Sequence, residues 1–280
     1  LLATGARPRN LAIPGAELAG VHYLRTLADV EALKQTMGNA RRVCLIGGGY
    51  VGLEFASVAT KAGLSVTVLE SADRLLKRVT TDEMSQYFAD LHHANGVKIC
   101  CNAAISALEG EGRVERVVCE HGEIDADLVL IGIGAIPNTE LAEAAGLLCE
   151  NGVLVDEFCQ SSDANIYAAG DCTNHPNALL QKRLRRESAP NAINQARVAA
   201  ANMLGDREEY CSVPWFWSDQ YTSKLQAVGF SADGTEAVCR GNKEDHQFAM
   251  FYFSENRLVA VEAVNSAKAF MAGKRLYGRA

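Results

Sequence analysis

Between Arg42 and Glu70 the chain reads, in order, as an apolar strand, a glycine turn, an amphipathic helix, a second apolar strand and a carboxylate. Few folds accept that order, and the alternation is that of a βαβ unit on a parallel sheet. Val43 to Ile46 forms a buried strand that runs directly into Gly47-Gly48-Gly49-Tyr50-Val51-Gly52. This hexapeptide satisfies G-x-G-x-x-G, with glycines at 47, 49 and 52. Tyr50 to Ala62 has helical spacing, with Val51, Phe55, Val58 and Ala59 expected on one face. Ser65 to Leu69 is the next strand, and Glu70 ends it. Glycine clusters are common in turns. Glycines that follow a strand and open a helix meet the context of a dinucleotide-binding turn.

Each residue of the turn has a separate demand placed on it. Gly47 permits the tight turn, Gly49 lets a pyrophosphate approach the backbone, and Gly52 lets helix and strand pack closely. Tyr50 and Val51 open the helix, whose free N–H groups and positive dipole end suit phosphate. A carboxylate at Glu70 accepts hydrogen bonds from an adenosine ribose diol and repels a 2′-phosphate, which favours NADH over NADPH. Arg74 lies close enough to greet a 2′-phosphate, to stack on adenine or to pair locally.

The remainder of the chain bounds the reading. At 280 residues it is long enough for two or more domains. Residues are 48% hydrophobic, yet no apolar run approaches the ~18 needed to cross a membrane, so no membrane partner is expected. The formal net charge of −7 disfavours nucleic acid. Nine cysteines, an odd number with no Cys-x-x-Cys, point to a reducing, cytoplasmic setting with cysteine as apolar filler. His92 and His93 are adjacent rather than four apart, and no metal site is expected. The chain opens on Leu1-Leu2-Ala3, in the middle of an apolar run, and reads as an N-terminally truncated fragment.

Further along, Thr81 to Asn95 reads as a helix and Val97 to Cys101 as a strand. Two or three short strands lie between Ala103 and Ile124, and Asp127 to Ile131 is a buried strand. Gly132 to Asn138 is expected to be irregular, with a short helix over Thr139 to Ala145. Val153 to Val155 and Ile166 to Ala168 are expected strands, and Ser188 to Leu204 a long helix. After Val213 the texture becomes that of an α+β unit, with strands over 225–228, 236–239, 248–253 and 258–264 and a helix from Ser266.

Two flanking stretches give the nucleotide unit its setting: Leu2-Ala3-Thr4-Gly5-Ala6-Arg7-Pro8 before it, and Ile166-Tyr167-Ala168-Ala169-Gly170-Asp171 after it. With the inserted unit between them, they resemble the FAD-dependent pyridine nucleotide-disulfide oxidoreductase superfamily. Arg186-Glu187-Ser188-Ala189-Pro190-Asn191-Ala192 and Val213-Pro214-Trp215-Phe216-Trp217-Ser218-Asp219-Gln220 resemble its ferredoxin reductase branch, which includes reductases serving Rieske-type dioxygenases. The implied fold is α/β: a two-dinucleotide-binding-domain flavoprotein with an inserted Rossmann-like NAD domain, a partial FAD domain and a C-terminal α+β domain. The implied boundaries are residues 1–38 and 156–212 for the FAD-binding domain, 39–155 for the NAD(H)-binding domain and 213–280 for a C-terminal domain shortened after Gly278.

The resemblance implies NADH and FAD as cofactors and an iron–sulfur ferredoxin, Rieske-type or [2Fe–2S], as partner. It implies that Thr4, Gly5, Arg7, Gly170, Asp171, Glu187 and Ser188 line FAD, with Asp171 bonded to its ribityl or pyrophosphate region. Glu54 would face nicotinamide and flavin, the loop Gly132, Ile133 and Gly134 would lie at the nicotinamide, and Trp217 would rest against the flavin edge. The family's N-terminal FAD fingerprint is absent, so weak flavin retention is expected of this stretch alone. An NADH oxidase or nitrite reductase-type flavoprotein, a disulfide reductase, or an apoptosis-inducing-factor-like NADH sensor would share the same fold. Lys182, Arg183, Arg185 and Arg186 form the dense basic run of the chain and are a candidate docking patch for an acidic ferredoxin.

Overall fold

A computed structural model describes residues 1–277 and 279, so the expected end of the C-terminal domain at Gly278 lies outside the described residues. The chain divides into two compact units. One comprises residues 8–134 with the hairpin tip Ser218–Ser223; the other comprises 1–7, 135–217 and 224–280.

The first unit is built on a parallel sheet. Among the described residues its strand order is Val21–His22, Leu128–Ile131, Arg42–Ile46, Ser65–Leu69, Lys98–Cys100. Val43, Cys44, Leu45, Ile46, Leu128, Val129, Leu130 and Ile131 are all buried, as strands covered on both faces require. The helices Tyr50–Lys61 and Asp82–Ala94 follow successive strands. A meander of Ile105–Glu109, Arg116–Cys119 and Gly122–Asp125 packs Leu108 and Val117 onto the same core as Cys44, Ile46 and Leu69. Cys44 is fully buried there, and desolvation pushes its thiol upward, so it acts as a small apolar residue.

The helix Tyr50–Lys61 buries Phe55 and Ala59 as expected but leaves Val51 and Val58 outside. Val51 and Val58 are half exposed, while Gly52, Leu53, Phe55, Ala56, Ser57 and Ala59 are buried. Small residues at 52, 56 and 59 let the helix axis approach the sheet, which outweighs the apolar area of the two valines.

Residues 8–38 also lie in this compact unit. Leu11, Ile13, Leu18, Val21 and Tyr23 pack on its core, and Val21–His22 pairs with the Leu128–Ile131 strand. The helix Leu27–Met37 was not expected from the sequence. Thr26 and Asp29 cap it reciprocally, with Asp29 N–H donating to Thr26 Oγ1 at 3.2 Å and Thr26 N–H to Asp29 Oδ2 at 2.7 Å.

The second unit holds a short three-stranded sheet, Val153–Leu154, Thr173–Asn177 and Lys182–Arg185. The first pair is parallel and the second antiparallel. The helix Ala189–Met203 begins at the cap Ser188 with proline in its first turn. Residues 139–155 pack here: Ala142, Leu147, Val153 and Val155 share a core with Ala168. Two local expectations also change. Ala135–Pro137, expected to be irregular, is a strand paired with Ala6–Pro8, and 166–168 makes isolated bridges, Leu2 with Ala168 and Gln160 with Tyr167. The C-terminal sheet runs Trp215–Gln220, Ser223–Gly229, Arg257–Val264, Gln247–Ser254, Glu236–Asn242, with Phe270 of the helix Ala267–Leu276 in its core. No helix among the described residues is long and apolar enough to cross a membrane.

One ion pair ties the parallel sheet together at its N-terminal edge. Asp127 Oδ2 accepts the N–H groups of Arg41 and Arg42 at 2.9 Å each, and its Oδ1 accepts from Arg42 Nη2 at 2.7 Å. The Arg42 guanidinium holds this carboxyl down to about 2 from its usual 3.8. A depressed carboxylate stabilises the fold above its unfolded pKa and loses that contribution as pH falls through the folded value. Replacing Asp127 by Asn is therefore expected to cost about 1 kcal/mol at pH 7, allowing for the partial exposure of the pair. Urea unfolding of both proteins should show the difference shrinking at pH 3; a difference independent of pH would refute the assignment.

Candidate functional site

The glycine turn is assembled by close backbone contact. Gly47 has φ +106°, and a Cβ there would lie 2.4 Å from the carbonyl oxygen of Gly132. A Cβ on Gly52 would lie 2.5 Å from the carbonyl oxygen of Gly47. Gly49 is different: nothing lies within 4 Å of its Cβ position. It is also the N-cap of the helix Tyr50–Lys61, and no side chain caps that end. The first and third glycines are thus consumed by packing, while the middle one faces open space beside N–H groups suited to an anion. That division matches the needs of a pyrophosphate-bearing group.

Glu70 closes the turn from the other side. Its Oε2 accepts from Gly48 N–H at 2.6 Å, and its Oε1 accepts from Ala72 N–H at 2.8 Å and Ser71 Oγ at 3.2 Å. The carboxylate is half-buried and fixed in the plane of the turn. Arg74 pairs locally, its Nε 2.7 Å from Asp82 Oδ1 and its Nη2 donating to Thr80 O at 3.1 Å.

Gly132, Ile133 and Gly134 leave the strand Leu128–Ile131 beside the turn, anchored by Gly132 N–H to Ile46 O at 2.8 Å. The Arg78 guanidinium approaches Gly134. Glu54, one turn into the helix, is half-buried. Ser218 Oγ donates to its Oε1 at 2.6 Å, and the backbone N–H of Asp219 also bonds it. Burial pushes the Glu54 carboxyl up, while the Ser218 and Asp219 hydrogen bonds hold it down and the Asp219 charge adds to the rise.

In the second unit, Thr4, Gly5 and Arg7 are laced to Asn138. Thr4 Oγ1 donates to Asn138 O at 2.6 Å, Asn138 Nδ2 to Thr4 O at 2.8 Å, Asn138 N–H to Gly5 O at 3.0 Å and Arg7 Nη1 to Asn138 Oδ1 at 2.7 Å. Arg7 also pairs with Glu140 at 2.7 Å. Gly170 is buried, and its N–H donates to Gln195 Oε1 at 2.8 Å; the half-buried Asp171 follows it. Glu187 pairs with Arg185 at 2.5 Å, and Ser188 caps the helix behind Gly170. The buried Gln195 Nε2, beside Gly170, has no acceptor in the protein. That atom is closed off inside the protein; the group here that the hydroxyls of FAD could reach is the half-buried carboxylate of Asp171, and in that respect these residues fit FAD.

Trp215 and Trp217 share a face of their strand, with ring centroids 5.7 Å apart. Trp215 packs on Phe270, whereas Trp217 keeps 43% of its surface exposed. The basic run is committed internally. Arg183 Nη2 donates to Val155 O and Asn174 O at 2.6 Å each, Lys182 pairs with Asp233 at 3.1 Å, and Arg186 donates to Trp215 O at 3.1 Å. Lys182 and Arg183 nonetheless stay exposed, and charge reversal at Arg183 would remove its anchors as well as a surface charge.

Sequence reasoning missed Asn138, Gln195, Ser218 and Gln220. Ser218 and Gln220 were discoverable, since they alternate with Trp217 and Asp219 and so take the opposite, buried face of the strand.

Residues 1–196 match the family model described as pyridine nucleotide-disulphide oxidoreductase, and residues 215–280 match the reductase C-terminal model. The chain is 43% identical over 278 residues to rhodocoxin reductase of Rhodococcus erythropolis, covering 99% of this chain and 65% of that protein. It is 40% identical over 283 residues to putidaredoxin reductase of Pseudomonas putida, covering 99% and 67%. Among solved structures, a ferredoxin reductase from Rhodopseudomonas palustris superposes with TM-score 0.94 at 42% identity, covering 97% of this chain and 68% of that one. The putidaredoxin reductase in a covalent complex with putidaredoxin superposes with TM-score 0.93 at 41% identity, covering 98% and 67%. The chain thus spans about two thirds of the length of the relatives it matches.

The different roles of the glycines predict different phenotypes. Gly52→Ala forces a Cβ against a carbonyl and is expected to destabilise by about 3 kcal/mol. Gly49→Ala meets no protein atom and is expected to change stability by about 1 kcal/mol or less while weakening nucleotide binding about tenfold. Thermal unfolding and NADH titration of the two variants check this; equal losses of stability would refute it.

Proposed function

The chain belongs to the pyridine nucleotide-disulphide oxidoreductase family, and on that premise we propose that it is part of an NADH-dependent ferredoxin reductase of the cytoplasm. Its partner in this reading is an iron–sulfur ferredoxin, Rieske-type or [2Fe–2S], that serves an oxygenase. The observation that carries the proposal is the union, in one chain, of a glycine turn open at Gly49 with a segment matching the reductase C-terminal model that begins at Trp215. The likeness to the ferredoxin reductase of Rhodopseudomonas palustris supports the choice of a ferredoxin as acceptor.

The chemistry that the cofactors supply when bound is hydride transfer from NADH to FAD, followed by release of single electrons. The protein's own residues hold and orient. Gly49, Tyr50 and Val51 offer the helix N-terminus to the NADH pyrophosphate, and Glu70 takes the adenosine ribose. Gly132, Ile133 and Gly134 bring backbone close to the nicotinamide. Thr4, Gly5, Arg7, Gly170, Asp171, Glu187 and Ser188 would hold FAD, and the exposed Trp217 would face the flavin edge. Glu54 would place a carboxylate near the nicotinamide, a charge arrangement suited to a ring that becomes positive.

Glu54→Gln is therefore expected to slow flavin reduction by NADH about tenfold or more in stopped-flow measurements with the full-length protein. An unchanged rate would reject the role of Glu54. The same protein is expected to show a higher kcat/KM for NADH than for NADPH, and the reverse order would reject the role of Glu70. Reconstitution with FAD, NADH and a ferredoxin should give cytochrome c reduction that requires the ferredoxin. Rapid oxidation by oxygen without it would point instead to an oxidase.

A further inference from the structure

The unit containing the glycine turn holds a line of buried polar groups that ends on Glu54. Ser218 is 1% exposed and Gln220 and His92 are fully buried. Ser218 Oγ donates to Glu54 Oε1 at 2.6 Å, Gln220 Nε2 to Ser218 Oγ at 3.2 Å, and His92 Nε2 lies 2.9 Å from Gln220 Oε1. On the other side of the imidazole, Tyr221 Oη lies 3.1 Å from His92 Nδ1.

With Glu54 ionised, one direction of donation satisfies this line. A hydroxyl has a single hydrogen, and Ser218 spends it on Glu54, so its oxygen must accept from Gln220. The Gln220 amide is then oriented with Oε1 toward His92, which must carry its proton on Nε2. Burial pushes the His92 imidazole down, so it is neutral, and its Nδ1 accepts from the Tyr221 hydroxyl. Every hydrogen from Tyr221 onward points toward the carboxylate. The charged and titratable groups facing the line are few. Asp219 faces Glu54 and His93 faces His92. Lys61 Nζ donates to Tyr221 O at 3.0 Å.

We propose that His92 is a positioning residue for Glu54: by fixing the Gln220 amide it makes Ser218 an obligate donor and so holds Glu54 in its ionised form. Without the imidazole the Gln220 amide is free to turn, presenting an oxygen to Ser218. The serine hydroxyl then has a second acceptor and can leave Glu54, whose desolvation is no longer opposed by that bond. A protonated Glu54 is disfavoured by the same logic. Donating to Ser218 would require the whole line to reverse, with the Gln220 amide turned over, the imidazole in its other tautomer and Tyr221 as acceptor.

The inference rests on the reading of Glu54 given above, and the test separates the two. Infrared titration of the carboxyl stretch in the oxidised full-length flavoprotein, with Glu54→Gln to assign the band, reads the protonation of Glu54 without turnover. In His92→Phe and in Gln220→Met the Glu54 midpoint is expected to rise by about one pH unit, in the same direction as in Ser218→Ala. The acid limb of the flavin-reduction rate should move with it, with little change in KM for NADH. A Glu54 midpoint unmoved in both variants while Ser218→Ala shifts it would overturn the proposal. Gln220→Met decides the matter should His92→Phe fail to fold. If Glu54→Gln leaves flavin reduction unchanged, the reading of Glu54 fails, while the infrared midpoints still decide whether His92 controls that carboxyl.

Discussion

Three backbone segments meet at Gly47 with no side chain between them, and the nucleotide unit is organised around that contact. The Gly47 N–H donates to Leu69 O and the Gly132 N–H to Ile46 O, both at 2.8 Å, so the ends of three parallel strands are tied at one point. The carbonyl oxygens of Gly132 and Gly47 occupy the space that β-carbons on Gly47 and Gly52 would need. From this node the helix Tyr50–Lys61 departs with an uncapped N-terminus, and the loop Gly132–Gly134 departs beside it. The position of Glu54, less than one turn beyond Gly52, follows from the same contact. An open α/β sheet offers its strand ends to ligands; here the glycines decide which of those ends is left open.

What the sequence made legible was whatever depends on backbone restriction and local periodicity. The strand-turn-helix-strand order over 42–70 and the spacing of Gly47, Gly49 and Gly52 carry their physical reasons in the residue types. So does the alternation of Trp215 and Trp217. Part of the buried face of Tyr50–Lys61 did not, because side-chain volume competed with hydrophobicity there. Val51 and Val58 are apolar but wide, and the sheet accepts Gly52, Ala56 and Ala59 instead. The helix Leu27–Met37 was obscured for another reason. Its buried stripe is reduced to Leu33, so periodicity is weak, and the decisive signal is the reciprocal cap of Thr26 and Asp29.

The candidate site was legible to the same degree. Gly49 and Glu70 were readable from position alone, since their function lies in backbone N–H groups and a strand end. Asn138, which bonds Thr4, Gly5 and Arg7, lies more than 130 residues from them in the chain, and no local pattern announces such a contact. The basic run from Lys182 to Arg186 shows the converse limit. Charge density is a local property, but whether a guanidinium is solvated depends on which carbonyls the fold brings to it. Arg183 finds those of Val155 and Asn174.

The polar line from Tyr221 to Glu54 is the part of the molecule that stability explains least. Buried neutral hydrogen bonds contribute on the order of 1 kcal/mol each, and apolar side chains of equal volume would pack there at similar or lower cost. Stability alone therefore gives no reason to keep an imidazole, an amide and a hydroxyl in register where leucines would serve. Orientation does. Each group fixes the hydrogen-bonding sense of the next, and the series ends on a carboxylate whose charge is opposed by its own burial. The hairpin tip Ser218–Ser223 belongs to the nucleotide unit through these same groups, with Ser223 Oγ 2.9 Å from the Tyr87 hydroxyl and Tyr221 Oη near His92. A segment from the start of the C-terminal sheet thus supplies the donors that the glycine-turn helix lacks. The charge state of Glu54 is set by residues more than 160 positions away in the chain.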